Sequence, residues 1–216
     1  MNLNLIKNIA FIFFSICFLF SFCQHSWTEG KLLLKNGDTL TGLIQFPMDK
    51  AKIVSLAKQK VKFKEDYDEI IYTYDRKQVD KIYCDTYDEY PGHYEYARLK
   101  NGKYRIFKVL ISGNVSLYYR KIAIQIDENT FFDPNNPGVV YYQEEYYEEI
   151  DEYYVKRYNE KKVTPLISHY AFKSFKGRIL KYFSDCQDII DLINEDLYTE
   201  DDIALLVNDY NLFCND

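Results

Sequence analysis

The chain has 216 residues and a formal net charge of −6 at pH 7, with 47% apolar and 28% charged residues. This length suits one domain, or one domain with a small appendage, and the balance of apolar and charged residues excludes a disordered chain. The acidic charge argues against nucleic acid as a partner, because phosphates require a basic face. The chain also has 22 tyrosines, a residue type that suits half-buried sheets and interfaces.

The first 23 residues have the pattern of an export signal. Lys7 is the only charged residue among them, and an uncharged apolar run then continues to Cys23. A run of this length is typical of a signal peptide and is short for a membrane span. Ser21 and Cys23 are small residues two positions apart, which is the spacing that signal peptidase requires. We therefore predict a signal peptide over residues 1–23, cleaved between Cys23 and Gln24.

Two alternatives to cleavage stay open. Residues 6–23 reach about the lower length limit of a membrane span, so they can instead remain as an anchor. Cys23 can instead carry a lipid, although Phe20 and Phe22 replace the leucine and the small residue expected before a lipid-modified cysteine. We expect membrane contact only if the segment is retained or lipidated, and otherwise an exported protein of the periplasm or cell envelope.

Residues 24–167 carry the signals of an antiparallel, β-rich domain of about eight to ten strands. Alternating apolar residues flank Asn36-Gly37, a dipeptide that accepts a positive φ at both turn centres, so we predict a hairpin over residues 31–46. A second Asn-Gly pair, at residues 101–102, predicts another hairpin that continues as a meander to residue 124.

An acidic, tyrosine-rich run over residues 144–154 is the most conspicuous segment. Strands are predicted at residues 139–147 and 153–158, and helix is an alternative for the run because glutamate favours helix over strand. The run can meet a basic partner or stack its tyrosines on sugar rings, whereas the alternative is an edge strand whose charges deter aggregation. The residues of this predicted interaction surface are Tyr146, Tyr147, Glu148, Glu149, Tyr153 and Tyr154.

After Pro165 the apolar period changes from that of a strand to that of a helix. Ser184 and Thr199 then have the sequence context of N-caps and predict the starts of two further helices. Residues 168–216 are therefore predicted to form about three short helices, packed on or next to the β-rich domain. These signals together predict an α+β fold, in which a β-rich body is followed by a helical segment.

Three cysteines remain if cleavage follows Cys23, namely Cys84, Cys186 and Cys214. An odd number allows at most one bridge within the chain, and exported proteins form disulfides readily. Cys186 and Cys214 both lie in the predicted helical segment, so we favour a disulfide between them. The alternative is three buried thiols that act as small apolar side chains.

The sequence contains no recognisable catalytic, cofactor-binding or metal-binding motif. H-E-x-x-H, G-x-S-x-G, G-x-x-x-x-G-K-[ST] and C-x-x-C are all missing from it. We therefore predict no cofactor, and a non-enzymatic interaction or structural module with an envelope protein or a glycan as its partner. The alternative is a hydrolase-type enzyme, since a glycosidase needs only two carboxylates that the fold brings together.

Several short motifs follow the export segment in a familiar order. They are Leu33-Leu34-Lys35-Asn36-Gly37-Asp38-Thr39-Leu40-Thr41-Gly42, then Phe107-Lys108-Val109-Leu110 leading to Leu117-Tyr118, then the Tyr182–Cys186 segment and a closing helix that ends at Tyr210-Asn211. In these features the chain resembles a broad set of uncharacterised exported proteins of Bacteroidota-type bacteria. The resemblance implies periplasmic or cell-envelope placement and a β-then-α layout, and it implies no activity and no functional residues.

Overall fold

A computed structural model describes residues 27–47, 59–84, 93–126, 131–132, 140–141, 146–169 and 173–214. The predicted signal peptide, with its cleavage site between Cys23 and Gln24, lies outside these ranges. Within them, no helix is both long enough and apolar enough to cross a membrane.

Strands dominate the described residues up to Ile167, and helices follow. The strands are β1 (Thr28–Leu34), β2 (Thr39–Gln45), β3 (Val61–Lys64), β4 (Tyr72–Tyr74), β5 (Val79–Cys84), β6 (His93–Arg98), β7 (Tyr104–Ile111), β8 (Val115–Ile126), β9 (Phe131–Phe132), β10 (Val140–Tyr141), β11 (Tyr146–Arg157) and β12 (Thr164–Ile167). The helices are α1 (Phe175–Tyr182), α2 (Gln187–Asn194) and α3 (Ile203–Phe213), and a 3₁₀ turn over Glu200–Asp202 precedes α3.

Ten of the described strands form one antiparallel sheet in the order β12-β11-β8-β7-β6-β5-β1-β2-β3-β4, and β9 pairs separately with β10. The predicted α+β class, with a β-rich body followed by three helices, is confirmed. Most neighbours in the sheet are also neighbours in sequence, because short turns join antiparallel strands. The exceptions are β5 beside β1 and β11 beside β8, which bring distant parts of the chain together.

Both Asn-Gly pairs lie in turns that join two antiparallel strands. Gly37 and Gly102 have φ angles of 94° and 84°, whereas Asp196 is the only described non-glycine residue with a positive φ. The predicted hairpin over residues 31–46 is confirmed, and in both Asn-Gly turns only the glycine takes a positive φ. The Gly37 N–H donates to the Leu34 carbonyl at 3.0 Å, which closes a slightly longer loop. In such a loop glycine alone takes the left-handed conformation.

The acidic, tyrosine-rich run lies within one long strand. All twelve residues of β11, from Tyr146 to Arg157, pair with β8. The prediction of two separate strands here is wrong, as is the helical alternative for the described residues of the run. The physical reason is that β8 offers a partner of equal length, and this pairing outweighs the weak preference of glutamate for helix.

The helices pack on one face of the C-terminal half of the sheet. Val115, Leu117, Val155 and Leu166 point to this face and form one cluster with the inner sides of the helices. The helical members of the cluster are Ile179, Tyr182, Phe183, Cys186, Ile189, Ile193, Ile203, Leu206, Val207 and Tyr210. The alternating residues Tyr118 and Tyr154 point to the opposite face, where they pack with Phe107.

The two predicted N-caps have different outcomes. Thr199 and Asp202 form a reciprocal capping box before α3, which confirms the helix start at Thr199. The prediction that Ser184 begins α2 is wrong, because the N-cap is Cys186. The intervening Asp185 pairs with Arg157 of β11, so these residues connect α1 to α2 instead of starting the helix.

A disulfide joins Cys186 to Cys214, whose Cα atoms are 5.9 Å apart. It ties the N-cap of α2 to the C-terminal end of α3. Cys84 lies at the end of β5, far along the sheet from this bridge. The covalent link therefore acts within the helical segment and holds its second and third helices together.

Candidate functional site

Five cationic side chains line an open cleft between α1 and the β11–β12 hairpin, with a volume of about 730 Å³. The cations are Lys100, Arg157, Lys173, Arg178 and Lys181, and the two carboxylates in the lining belong to Glu160 and Asp185. The chain as a whole is acidic, with a net charge of −6. The cleft is therefore a local region of positive charge on an acidic protein.

Arg157, the last residue of β11, forms one wall of the cleft. Its Nη2 donates to the Asp185 carboxylate at 2.6 Å and to the Tyr182 carbonyl at 3.0 Å. The Tyr210 hydroxyl donates to the other Asp185 oxygen at 2.8 Å. Burial alone lowers the pKa of Arg157, but the hydrogen bond with Tyr210 and the nearby charges raise it above its ordinary value. Arg157 therefore holds the sheet, α1 and α3 together.

Arg178 of α1 is held mainly by backbone carbonyls. Its Nε donates to the Leu166 carbonyl and its Nη1 to the Lys173 carbonyl. Its Nη2 also lies 3.6 Å from the Glu200 carboxylate. These contacts fix α1 against β12, so Arg178 contributes charge to the cleft while its position is set by the fold.

Both carboxylates of the cleft are held by internal donors. Glu160 accepts from the Arg157 backbone N–H at 2.9 Å and from the Tyr182 hydroxyl at 2.8 Å. Burial and this bond to Glu160 raise the pKa of the Tyr182 hydroxyl, so it stays protonated and keeps donating. Asp185 is engaged by Arg157 and Tyr210. Neither carboxylate is therefore placed as a general acid or base.

Three lysines of the cleft are available to a ligand. Lys100, Lys173 and Lys181 are exposed, and none of them forms an ion pair with a described residue. A lysine ammonium is a hydrated point charge on a flexible stem, unlike the planar fork of arginine. Three such charges around one open cleft suit a ligand with several separate negative groups.

Lys100 reaches the cleft from a distant part of the sequence. It follows β6, in the turn that contains Gly102. The connection between β11 and β12 lies beside this turn, because the Val163 N–H donates to the Arg98 carbonyl at 2.9 Å and the Lys162 ammonium donates to the Lys100 carbonyl at 3.4 Å. The sheet and its turns thus position Lys100 and Arg157. On the opposite side, Arg178 and Lys181 lie on α1, and Lys173 lies just before it.

Glu152 is a buried carboxylate on the face of β11 away from the helices, and its exposure is 0%. It accepts from Arg120 Nε at 2.9 Å and Nη2 at 2.6 Å, from the Tyr154 hydroxyl at 2.8 Å and from the Ser168 hydroxyl at 2.7 Å. Burial alone raises the pKa of Glu152, but Arg120 and these hydrogen bonds hold it below its ordinary value. An ionised, enclosed carboxylate with this many donors has a structural role.

The structure separates the residues of the predicted interaction surface. Glu148 and Glu149 are exposed, and Glu149 forms an ion pair with Lys121 at 3.3 Å. The backbone of Tyr146 and Tyr147 lies at the start of β11. Only the acidic side chains of this half of the strand are therefore shown to face solvent.

Of the two later tyrosines of that surface, Tyr153 is half-buried and Tyr154 is buried. Tyr153 packs against the helical cluster, with its ring 5.3 Å from that of Tyr119. Tyr154 is 4% exposed, and its ring lies 5.1 Å from that of Phe107. The prediction that Tyr154 belongs to an interaction surface is wrong. Successive residues of a strand point to opposite faces, and both faces of β11 are covered at this position.

A shift of charge along the chain is the signal that could have identified the cleft. Residues 156–181 contain eight lysines and arginines and a single acid, Glu160. Residues 182–216 contain ten acids and no lysine, arginine or histidine. Such charge blocks indicate interacting surfaces. Four of the five cleft cations come from the first block.

Among the residues that the structure describes, no group of three or more histidine, cysteine, aspartate or glutamate side chains is placed to hold a metal ion. No family model, no curated protein and no solved structure matches the chain. The role of the protein is therefore inferred from the cleft and from the charges around it.

Proposed function

We propose that this protein is an exported, non-enzymatic interaction module of the cell envelope, and that its basic cleft binds an acidic protein partner. The observation that carries the binding role is the set of three exposed lysines, Lys100, Lys173 and Lys181, that share one cleft without ion pairs to described residues. Charges of one sign in a cleft attract and orient a partner of the opposite sign.

Two features support export. The apolar segment before Gln24 has the length and the terminal small residues of a signal peptide. The disulfide between Cys186 and Cys214 is of a kind that persists in oxidising compartments outside the cytoplasm. The short motifs that resemble exported proteins of Bacteroidota-type bacteria predict the same placement.

The cleft favours a protein surface over a single small anion. Its cations lie in the turn between β6 and β7, on β11, just before α1 and on α1, and its lining also includes Pro165 and the aromatic Tyr182. Protein interfaces combine apolar contacts with charges at their rim. A partner with several carboxylates around an apolar residue would meet both parts of the cleft.

We expect the Lys173→Gln/Lys181→Gln variant to bind immobilised poly-L-glutamate about tenfold more weakly than the wild type, at roughly 0.7 kcal/mol for each exposed charge pair. Glutamine keeps a long side chain and nearly the same helix propensity, so α1 should persist. The measurement is retention of the purified protein on the polymer over a salt gradient.

The matched control is Lys60→Gln/Lys77→Gln, which removes two exposed lysines from the N-terminal half of the chain. This control should elute with the wild type after correction for its lower net charge. If the two double variants lose retention equally, the binding depends on overall charge and the proposed role of the cleft is wrong.

Export has its own test. We expect the chain isolated from fractionated native cells to have an intact mass that begins at Gln24, in the soluble periplasmic fraction. Signal peptidase removes the apolar segment, so the mature chain should no longer have a membrane anchor. A full-length or lipid-bearing mass in the membrane fraction would instead identify a tethered envelope protein, and a cytoplasmic full-length chain would contradict export.

A further inference from the structure

We propose that the acidic partner of the cleft is a second copy of this chain, which presents the outer side of its own α3. This inference rests on the proposed function, because it names the occupant of the same cleft. The chain contains both halves of the required charge pattern. Its residues 156–181 supply most of the cleft cations, and its residues 182–216 carry ten acids without a single cation.

α3 has apolar residues on its outer side as well as its inner side. Leu206 and Val207 are fully buried against the sheet, whereas Leu205 and Leu212 are 52% and 70% exposed. Leu205 and Leu212 are seven positions apart, so they lie on one line along the helix. A helix that is apolar on both sides is normally covered on both sides, and no described residue buries this outer side.

An exposed negative charge lies in the turn directly before α3. Asp201 belongs to the 3₁₀ turn that leads into α3, four positions before Leu205, and is exposed. Asp201 forms no ion pair with any described residue. We call Asp201, Leu205, Asn208 and Leu212 the α3 ridge. The ridge combines a carboxylate with two exposed leucines, which is the chemistry that the cleft requires of its partner.

The two charge blocks already attract each other within one chain. Three ion pairs join them, Arg157 to Asp185, Lys176 to Asp196 and Arg178 to Glu200. The three exposed lysines of the cleft and the aspartate of the ridge take no part in these three ion pairs. They can therefore pair between chains without breaking any contact that holds a single chain together.

Charge also selects which surfaces meet. Two ridges placed together would oppose their Asp201 carboxylates, and two clefts placed together would oppose their lysines. Like charges in contact are unfavourable, so both of these arrangements are disfavoured. When the cleft of one copy faces the α3 ridge of another, opposite charges come together. Leu205 or Leu212 can then approach the apolar lining of the cleft at Pro165 and Tyr182.

The experiment uses two double variants, each confined to exposed side chains. The cleft variant is Lys173→Glu/Lys181→Glu, and the ridge variant is Asp201→Lys/Leu205→Lys. Sedimentation velocity of the wild-type protein at low salt should show association that grows with concentration and weakens as salt is added. Each variant alone should raise the dissociation constant by about tenfold or more, which corresponds to about 1.4 kcal/mol.

Mixing the two variants separates this interface from general charge effects. The ridge variant keeps an intact cleft and the cleft variant keeps an intact ridge, so an equimolar mixture should regain the lost association. The matched control, Lys60→Glu/Lys77→Glu, reverses two exposed charges in the N-terminal half and should associate like the wild type. Circular dichroism of each variant confirms that its fold is kept.

A wild-type protein that sediments as a monomer at every concentration would overturn this inference. A mixture that stays monomeric while the wild type associates would overturn it as well. If a monomeric wild type still binds poly-L-glutamate through Lys173 and Lys181, only the identity of the partner is wrong and the cleft serves another acidic protein. If it binds neither the polymer nor itself, the proposed function fails too.

Discussion

Replacing Glu152 with glutamine is expected to lower the free energy of unfolding by about 3–5 kcal/mol. The carboxylate is fully buried and accepts two hydrogen bonds from Arg120 and one each from Tyr154 and Ser168. Glutamine keeps the shape of the side chain but removes its negative charge. Its NH₂ group would also face a neighbouring group that donates, so that hydrogen bond would be lost. A lost partner in a buried charged network is strongly destabilising. Chemical denaturation of both proteins measures the loss.

Glu149→Gln is the matched control, three residues earlier on the same strand. Glu149 also pairs with a cation of β8, Lys121, but its side chain is 67% exposed. Exposed ion pairs contribute less than about 1 kcal/mol, so this variant should unfold almost like the wild type. Equal losses in the two variants would contradict a special structural role for the buried carboxylate.

The effect of Glu152→Gln should also depend on pH. Burial alone raises the pKa of Glu152, but Arg120 and the hydrogen bonds from Ser168 and Tyr154 hold its folded-state pKa below the unfolded value. A group with a lowered folded-state pKa stabilises the protein above its unfolded-state pKa and loses this contribution as the pH falls. The stability gap between wild type and variant should therefore be largest near neutral pH and shrink in acid.

The second large effect is expected when the disulfide is removed. Cys186→Ser/Cys214→Ser should lower the free energy of unfolding by about 3–4 kcal/mol, because the bridge restricts the unfolded chain over a long loop. The sequence separation of the two cysteines is 28 residues. The loop that the disulfide closes contains both α2 and α3. Loss of the disulfide therefore also weakens the packing of Tyr210 beside Arg157. Urea denaturation without reductant measures the unfolding midpoints of the wild type and of the variant.

Cys84→Ser serves as the control for this variant. It also replaces a cysteine sulfur with a serine oxygen, but at the end of β5. The bridge stays intact because it joins Cys186 to Cys214. We expect it to lose about 1 kcal/mol or less. A bridge variant as stable as the wild type would show that the disulfide contributes nothing to the folded protein.

Features set by nearby residues could be predicted from local patterns. The hairpin around Gly37 and the capping box at Thr199 and Asp202 involve residues within a few positions of each other. Their chemistry is therefore visible in a short window of sequence. The predicted start of α2 at Ser184 is wrong because Asp185 forms a hydrogen bond with Arg157. These two residues are 28 positions apart, so no local sequence pattern contains this contact.

Features that depend on strand pairing could not be predicted in this way. Alternation along β11 shows that Tyr153 and Tyr154 face opposite ways, but it does not show that both sides are covered. The helices cover one side, and the cluster around Phe107 covers the other. The burial of Glu152 has the same origin, since its partner Arg120 is contributed by β8.

The sequence by itself determined that this protein is a β-rich body followed by three helices, because strands and helices impose different apolar periods on the chain. It also contained the charge blocks at residues 156–181 and 182–216. Only the tertiary structure decided that Lys100 joins Lys173 and Lys181 in one cleft. Side chains so far apart in sequence meet only through the pairing of β6, β7, β8 and β11 and the docking of α1 on β12.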